Sequence, residues 1–329
     1  MKSENLLEII DVHKHYSLKS GFREIIERVG YGTRKIIRAV DGVSVEIKTG
    51  ETLGLVGKSG CGKTTLGKLI VQLETPEKGR INLKGEDILK LDKHQLMDFK
   101  RKVQMILQDP YGSLNPRLTV YNSLIEPLVV HKIVMKREER HEIICEMLEN
   151  VSLTPPEEFI KRYPHELSGG ERQRVSVARA LILKPEFIVA DEPVSMLDAS
   201  IRAEILNMLK ELKKNFNLTM LFITHNLAIS RYMSDRIAVM YYGKICELGS
   251  TEAIIRNPIH PYTQLLLKCV PVPDPTYGRK RIIIRKQELS MPEKGCKFFH
   301  QCSFKKDVCK EEEQKLVEME RDHWVACGR

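Results

Sequence analysis

The chain has 329 residues, 42% of them hydrophobic and 29% charged, a balance that fits a globular protein with room for one large domain and a smaller one. No apolar run approaches the ~18 residues of a membrane-spanning helix, and the opening MKSENLLEII lacks the apolar stretch of a secretory signal. Both point to the cytoplasm and exclude a chain that crosses a bilayer by its own helices. Against 44 acidic side chains stand 53 basic ones, a net charge of +9. With no block of five or six like charges, this reads as a generally basic surface, open to nucleotides, acidic lipid or nucleic acid without singling one out.

Short apolar runs that end in polar or glycine-rich segments recur along the chain. ETLGLVG (51–57) runs into KSGCGKTT, VQMILQ (103–108) into DPYGS, FIVA (187–190) into DEP, and TMLFIT (219–224) into HN. Each has the length of a strand buried on both faces, and helical patterns lie between them, which predicts an α/β fold on a mixed, largely parallel sheet. Ligands of such sheets bind beyond the carboxyl ends of the strands, where this chain carries Lys63, Gln108, Asp191, Glu192 and His225. Residues 110–165 differ: Pro110, Pro116, Pro127, Pro155, Pro156 and Pro164 punctuate helical stretches such as REERHEIICEMLENV, which reads as an inserted helical subdomain. PVPDP (271–275) reads as a proline-stiffened connector.

Residues 57–64, GKSGCGKT, match the P-loop pattern GxxxxGK[ST]. Its glycines let backbone amides curl around phosphate, its lysine reaches the β- and γ-phosphates, and its hydroxyl meets Mg²⁺. A strand-like run precedes it and LGKLIVQL continues as a helix, the context the motif requires. FIVADEP (187–193) delivers Asp191 to the metal and presents Glu192, which follows directly and projects differently, as the general base for an attacking water. LSGGERQRVSVARAL (167–181) is a second helix start suited to an anion. Ser168 and Glu171 form a capping-box pattern, and Gly169 and Gly170 allow close approach. One nucleotide does not need two cradles.

GKSGCGKT, Gln108, LSGGE, ADEP, LDAS and a strand-ending His225, in this order, resemble the ATP-binding subunit of an ABC transporter, and the likeness runs from residue 5 to about residue 265. The resemblance implies a P-loop NTPase core over 1–265, with the helical subdomain at about 110–180, and a small cysteine-rich extension over 266–329. It implies an ATPase in which two nucleotide-binding domains pack head to tail. ATP on the P-loop of one (Gly57, Ser59, Gly60, Cys61, Gly62, Lys63, Thr64, Thr65) is then closed over by Ser168, Gly169, Gly170 and Asp198 of the other. Tyr16 would stack on adenine; Thr64, Gln108 and Asp191 would serve Mg²⁺; and Glu192, His225 and Lys63 would carry hydrolysis. Lys58 stands where many members of the subgroup have an acidic residue.

MILQDPYGSLNPRLTV, IEPL (125–128) and HPYTQLLL (260–267) are similar to the ATP-binding subunits of oligopeptide and dipeptide importers, and nickel importers share much of the pattern. That likeness implies a second ATP-binding subunit, identical or related, two membrane-spanning permease subunits, and indirectly an extracellular substrate-binding protein. It places the chain in the cytoplasm, peripheral on the inner face of the cell membrane, with no nucleic-acid partner. The tail cysteines Cys296, Cys302, Cys309 and Cys327 run C-x5-C-x6-C-x17-C, which matches neither zinc-finger nor ferredoxin spacing, so spacing alone leaves zinc, an iron–sulfur cluster and no metal open. The resemblance implies a [4Fe–4S] cluster, with Zn²⁺ as the alternative and His300 and His323 as reserve zinc ligands. Two rival readings remain: a soluble ABC ATPase acting on nucleic acid or ribosomes, which the charge allows, and a P-loop kinase of small molecules, which leaves LSGGE and His225 without a role.

Overall fold

A computed structural model describes residues 4–17, 36–134, 136–269 and 294–328; the PVPDP connector lies outside the described residues. Strands β1 (Asn5–Ser17), β2 (Ile36–Lys48) and β3 (Thr52–Val56) lead to helix α1 (Lys63–Ile70), β4 (Lys78–Leu83) and β5 (Glu86–Asp87). Helix α2 (Lys93–Lys102) and strand β6 (Val103–Ile106) precede a helical run of α3 (Pro110–Ser113), α4 (Val120–Val130), α5 (Arg137–Asn150), α6 (Pro156–Phe159) and α7 (Gly169–Leu181). Then come β7 (Phe187–Asp191), α8 (Ala199–Asn215), β8 (Thr219–Thr224), α9 (Leu227–Met233), β9 (Arg236–Tyr241), β10 (Lys244–Ser250), α10 (Thr251–Arg256) and α11 (Pro261–Lys268). The tail adds α12 (Val308–Glu311), β11 (Val317–Glu320) and β12 (His323–Val325).

The chain divides into two compact units, one of residues 1–7, 47–54 and 83–224, the other of residues 8–46, 55–82 and 225–329. In the first, β6, β7 and β8 are parallel, with Val103 opposite Phe187 and Phe187 opposite Thr219. Every residue of β7 and β8 is buried, which is why these strands read as unbroken apolar runs and not as alternating ones. Helices follow β6 as far as Leu181: α7 lies against β6, and α4 and α5 lie against α7. Leu124 and Leu128 on α4, and Ile144 and Leu148 on α5, sit one turn apart and are fully buried, so each helix turns a single apolar stripe inward.

The second unit contains a β2–β1–β4 sheet and an antiparallel series β9–β10–β12–β11. Its last two strands come from the cysteine-rich tail, with Val325 opposite Glu247 and Trp324 opposite Leu248. The tail therefore takes its order from β10 and not from a core of its own. Its Phe298 joins the same buried cluster as Val56, Ile237, Val239, Tyr241, Ile254 and Tyr262.

Candidate nucleotide site

Glycine is required at two positions of the P-loop for steric reasons. A Cβ on Gly57 would lie 2.2 Å from the Met240 carbonyl oxygen, and one on Gly62 would lie 1.9 Å from that of Ala39. Gly62 also has φ of 109°, a conformation side chains rarely adopt. The loop is pinned from within: Lys63 Nζ donates to the carbonyls of Gly57 at 2.8 Å and Lys58 at 3.2 Å, and Gly243 N donates to Cys61 O at 2.8 Å. Lys63 and Cys61 are buried, whereas Ser59 and Gly60 are exposed and Thr64 and Thr65 are half-buried. Helix α1 starts at Gly62 with no side-chain cap. Its first-turn amides, one of them belonging to Lys63, are thus directed at whatever the loop encloses. This cradle fits a nucleotide polyphosphate.

Tyr16, also in the second unit, is 37% exposed, with Lys14 Nζ over its ring 5.5 Å from the centroid. Around it lies a charge network that the sequence did not suggest. Ligand atoms of His13, His15 and Asp41 fall within 4.8 Å of one another. Asp41 Oδ2, however, already faces Arg38, Lys244 and Lys297 at 3.7–3.9 Å, and His15 pairs with Glu77 at 3.0 Å. Three cations around one carboxylate leave an excess of positive charge there, which makes the cluster a poor cation trap. His225 follows β8 directly and is exposed, and Asn226 beside it caps α9 through the amides of Ala228 and Ile229.

In the first unit, β7 ends on the buried Asp191. Glu192 next to it has φ of 45°, which turns its side chain off the strand direction, as the sequence reading requires. That strained conformation is held by hydrogen bonds: Glu192 N donates to Ile223 O at 3.0 Å, and Ser195 donates to Glu192 O from its amide and its hydroxyl, both at 3.1 Å. Gln108 Nε2 donates to Glu192 Oε2 at 3.5 Å, so the two residues predicted from separate strand ends do meet.

The second helix start also has the predicted capping box. Glu171 N donates to Ser168 Oγ at 3.3 Å and Ser168 N donates to Glu171 Oε2 at 2.7 Å. Burial alone would raise the Glu171 carboxyl, but Ser168 and the guanidinium groups of Arg162 and Arg174 outweigh it and hold the group below its ordinary value. Ser168 is exposed, Gly169 half-buried and Gly170 buried. A Cβ on Gly170 would approach Ile201 Cγ2 to 2.8 Å, so this glycine serves the packing of α7 on α8. Asp198 occupies the N-cap of α8, exposed and without a capping hydrogen bond of its own.

The four tail cysteines line one pocket with Phe298 and Phe304. Burial first, then Cys302, Cys327 and Cys309, pushes the Cys296 thiol up to about 11. Such a thiol stays protonated at neutral pH, and among the described residues the four sulfur atoms are not gathered closely enough to form a metal site. His300 and His323 do not line the pocket. His323 is instead buried with its Nε2 2.8 Å from Glu247 Oε1, which removes it from the reserve zinc ligands. Sequence reasoning missed this pair, and it missed Tyr262, whose only signal was the HPY triplet.

A strand running through such a loop into a helix, with a buried strand ending in Asp-Glu elsewhere in the chain, defines a P-loop nucleotide hydrolase. Family models narrow the class. One described as ABC transporter matches residues 40–195, and one described as oligopeptide/dipeptide transporter, C-terminal region, matches residues 246–309. The chain is 46% identical to the oligopeptide transport ATP-binding protein AppF of Bacillus subtilis, over 98% of this chain and 97% of that one. It is 39% identical to the oligopeptide transport ATP-binding protein OppF of Salmonella typhimurium, over 98% and 95% respectively. Its fold is similar to that of the ATP-binding cassette MJ0796, a dimer bound to ADP and phosphate, with a TM-score of 0.64 and 29% identity over 74% of this chain and 98% of that one. The chain belongs to the ATP-binding subunits of ABC transporters.

Proposed function

We propose that this chain hydrolyses ATP to drive import of dipeptides and oligopeptides through a membrane ABC transporter. The observation that carries this reading is the oligopeptide/dipeptide C-terminal region at residues 246–309, on a chain that also has a complete ATP-binding cassette. Residues 1–265 form the nucleotide-binding domain, about 110–180 its helical subdomain, and 266–329 the extension. The P-loop from Gly57 to Thr65 holds the ATP phosphates, Tyr16 stacks on adenine, and Ser168, Gly169, Gly170 and Asp198 close over ATP on a second, paired subunit. Thr64, Gln108 and Asp191 would hold Mg²⁺, which when bound would neutralise charge on the phosphates. Glu192 takes a proton from water as its oxygen attacks the γ-phosphorus; ADP leaves, with Lys63 stabilising the developing charge and His225 orienting the water and Glu192.

Two permease subunits at the inner face of the membrane receive the motion of closure near Gln108, and a separate extracellular binding protein selects the peptide. Cys296, Cys302, Cys309 and Cys327 are the residues that would hold a [4Fe–4S] cluster, or Zn²⁺, and such a group would tie the tail together. Tagged protein purified from detergent-solubilised cells should bring two integral membrane proteins with it, and peptide should stimulate its ATPase. Co-purification of ribosomes or nucleic acid in their place would return the soluble ABC ATPase reading.

A further inference from the structure

The P-loop is held by the C-terminal part of the chain. Lys58 N, inside the loop, donates to the hydroxyl of Tyr262, 204 residues away, at 3.0 Å. The same residue's carbonyl accepts from Lys63 Nζ at 3.2 Å and from Cys61 N at 3.2 Å. The Gly57–Lys58 peptide, whose N–H meets Tyr262, offers its carbonyl to Lys63 Nζ at 2.8 Å, and the next peptide's carbonyl holds the same lysine and the turn of the loop, so Tyr262 fixes from behind a segment that orients the phosphate-binding lysine. Tyr262 is 3% exposed, and burial pushes its phenol far above its ordinary value, so it stays neutral.

Tyr262 is in turn held in place by a connected set of groups. His260 Nδ1 accepts from Tyr262 N at 3.0 Å. Glu247, fully buried, accepts from Ile259 N at 2.7 Å and His260 N at 3.1 Å, and pairs with His323 of β12. The Tyr262 ring lies 4.4 Å from Tyr241 and 5.6 Å from Phe298, centroid to centroid. Phe298 stands between Cys296 and Cys302 in sequence, and both cysteines pack on the same apolar cluster. An aromatic pair of this geometry stabilises its arrangement beyond simple area burial.

We propose that Tyr262 is a positioning residue of the nucleotide site, and that Phe298 locks its ring, so that the cysteine-lined tail sets how tightly the P-loop holds nucleotide phosphate. This rests on the P-loop binding ATP, as in the function proposed above. The role also accounts for the His260-Pro261-Tyr262 order: His260 caps the helix, Pro261 starts it, and Tyr262 reaches the loop.

The test uses the full chain, with MgATP affinity read by calorimetry and hydrolysis by steady-state rate. Tyr262→Phe removes the hydroxyl and keeps the ring, and should raise Kd and KM roughly 5- to 10-fold, the loss of one hydrogen bond, with kcat within about twofold. Phe298→Leu should raise both in the same direction by a smaller factor, and the double variant should be no weaker than Tyr262→Phe alone, because the second change acts through the first. Unchanged affinity in Tyr262→Phe overturns the proposal. Fully additive effects overturn the part assigned to the tail. Should Tyr262→Phe fail to fold, Phe298→Leu decides by its Kd, and a wild-type value there sinks the coupling. A wild-type chain that binds no ATP would instead refute the P-loop reading itself.

Discussion

Two helices of this protein begin at glycines in anion-attracting motifs, and they are built in opposite ways. Helix α1 has Gly62 at its N-cap and no side-chain cap, so no side chain closes the end that faces the loop. Helix α7 starts at Ser168 with a reciprocal box to Glu171, so two of its terminal amides are satisfied from inside. The first end can hold phosphate from its own resources; the second is closed, ordered and exposed at Ser168. A helix terminus with finished caps keeps its dipole and its shape without a ligand. In the paired arrangement proposed above, the finished end would meet a nucleotide carried by the other subunit and the open end one of its own. Both motifs suit an anion, and the Ser168–Glu171 box already legible in the sequence is what separates them.

The largest test of that division leaves both helix ends untouched. Glu192→Gln removes the base and neither cradle, so ATP binding should persist while hydrolysis falls by about 10²- to 10⁴-fold; near-normal turnover would take Glu192 out of the reaction. Gly62→Ala attacks the open end, where a Cβ would meet the Ala39 carbonyl at 1.9 Å. Nucleotide affinity should drop on the order of 100-fold, as expected when a positioned group is displaced by ~1 Å, and calorimetry with MgATP measures it. Ser168→Ala attacks the closed end. It should cost about 1 kcal/mol of stability and lower the melting temperature by roughly 2–4 °C, with ATP affinity of the P-loop unchanged.

The smallest effect concerns pH. Glu171 is depressed in the folded protein relative to its ordinary value near 4.5, so its contribution is fully present above that value and is lost as pH falls through the folded one. The stability gap between wild type and Glu171→Gln should therefore be constant near neutrality and close in acid, which thermal unfolding across a pH series reads. A gap that ignores pH would mean the box acts by shape and not by charge.

Much of the first unit was legible from residues alone. FIVAD and TMLFIT were recognisable because strands covered on both faces need no polar alternation. In the second unit the glycines of the P-loop were recognisable because backbone sterics admit nothing else. The rest of the second unit was harder to read. His323 looked like a spare metal ligand, yet its partner Glu247 lies 76 residues away, and no local pattern encodes that pairing. β11 consists of exposed residues throughout; its strand state comes from pairing with β12, not from an apolar face.

The sequence by itself determined the phosphate loop, the buried strands, the acid pair at the end of β7 and the spacing of the tail cysteines, since each depends on sterics or periodicity over a few residues. Only the tertiary structure decided that Glu192 turns back to meet Gln108 and that a tyrosine from the C-terminal region holds the P-loop amide of Lys58. These are contacts between distant segments. Their free energy arises from burial and hydrogen bonds that exist only once the chain has closed those distances, so no window of sequence contains them.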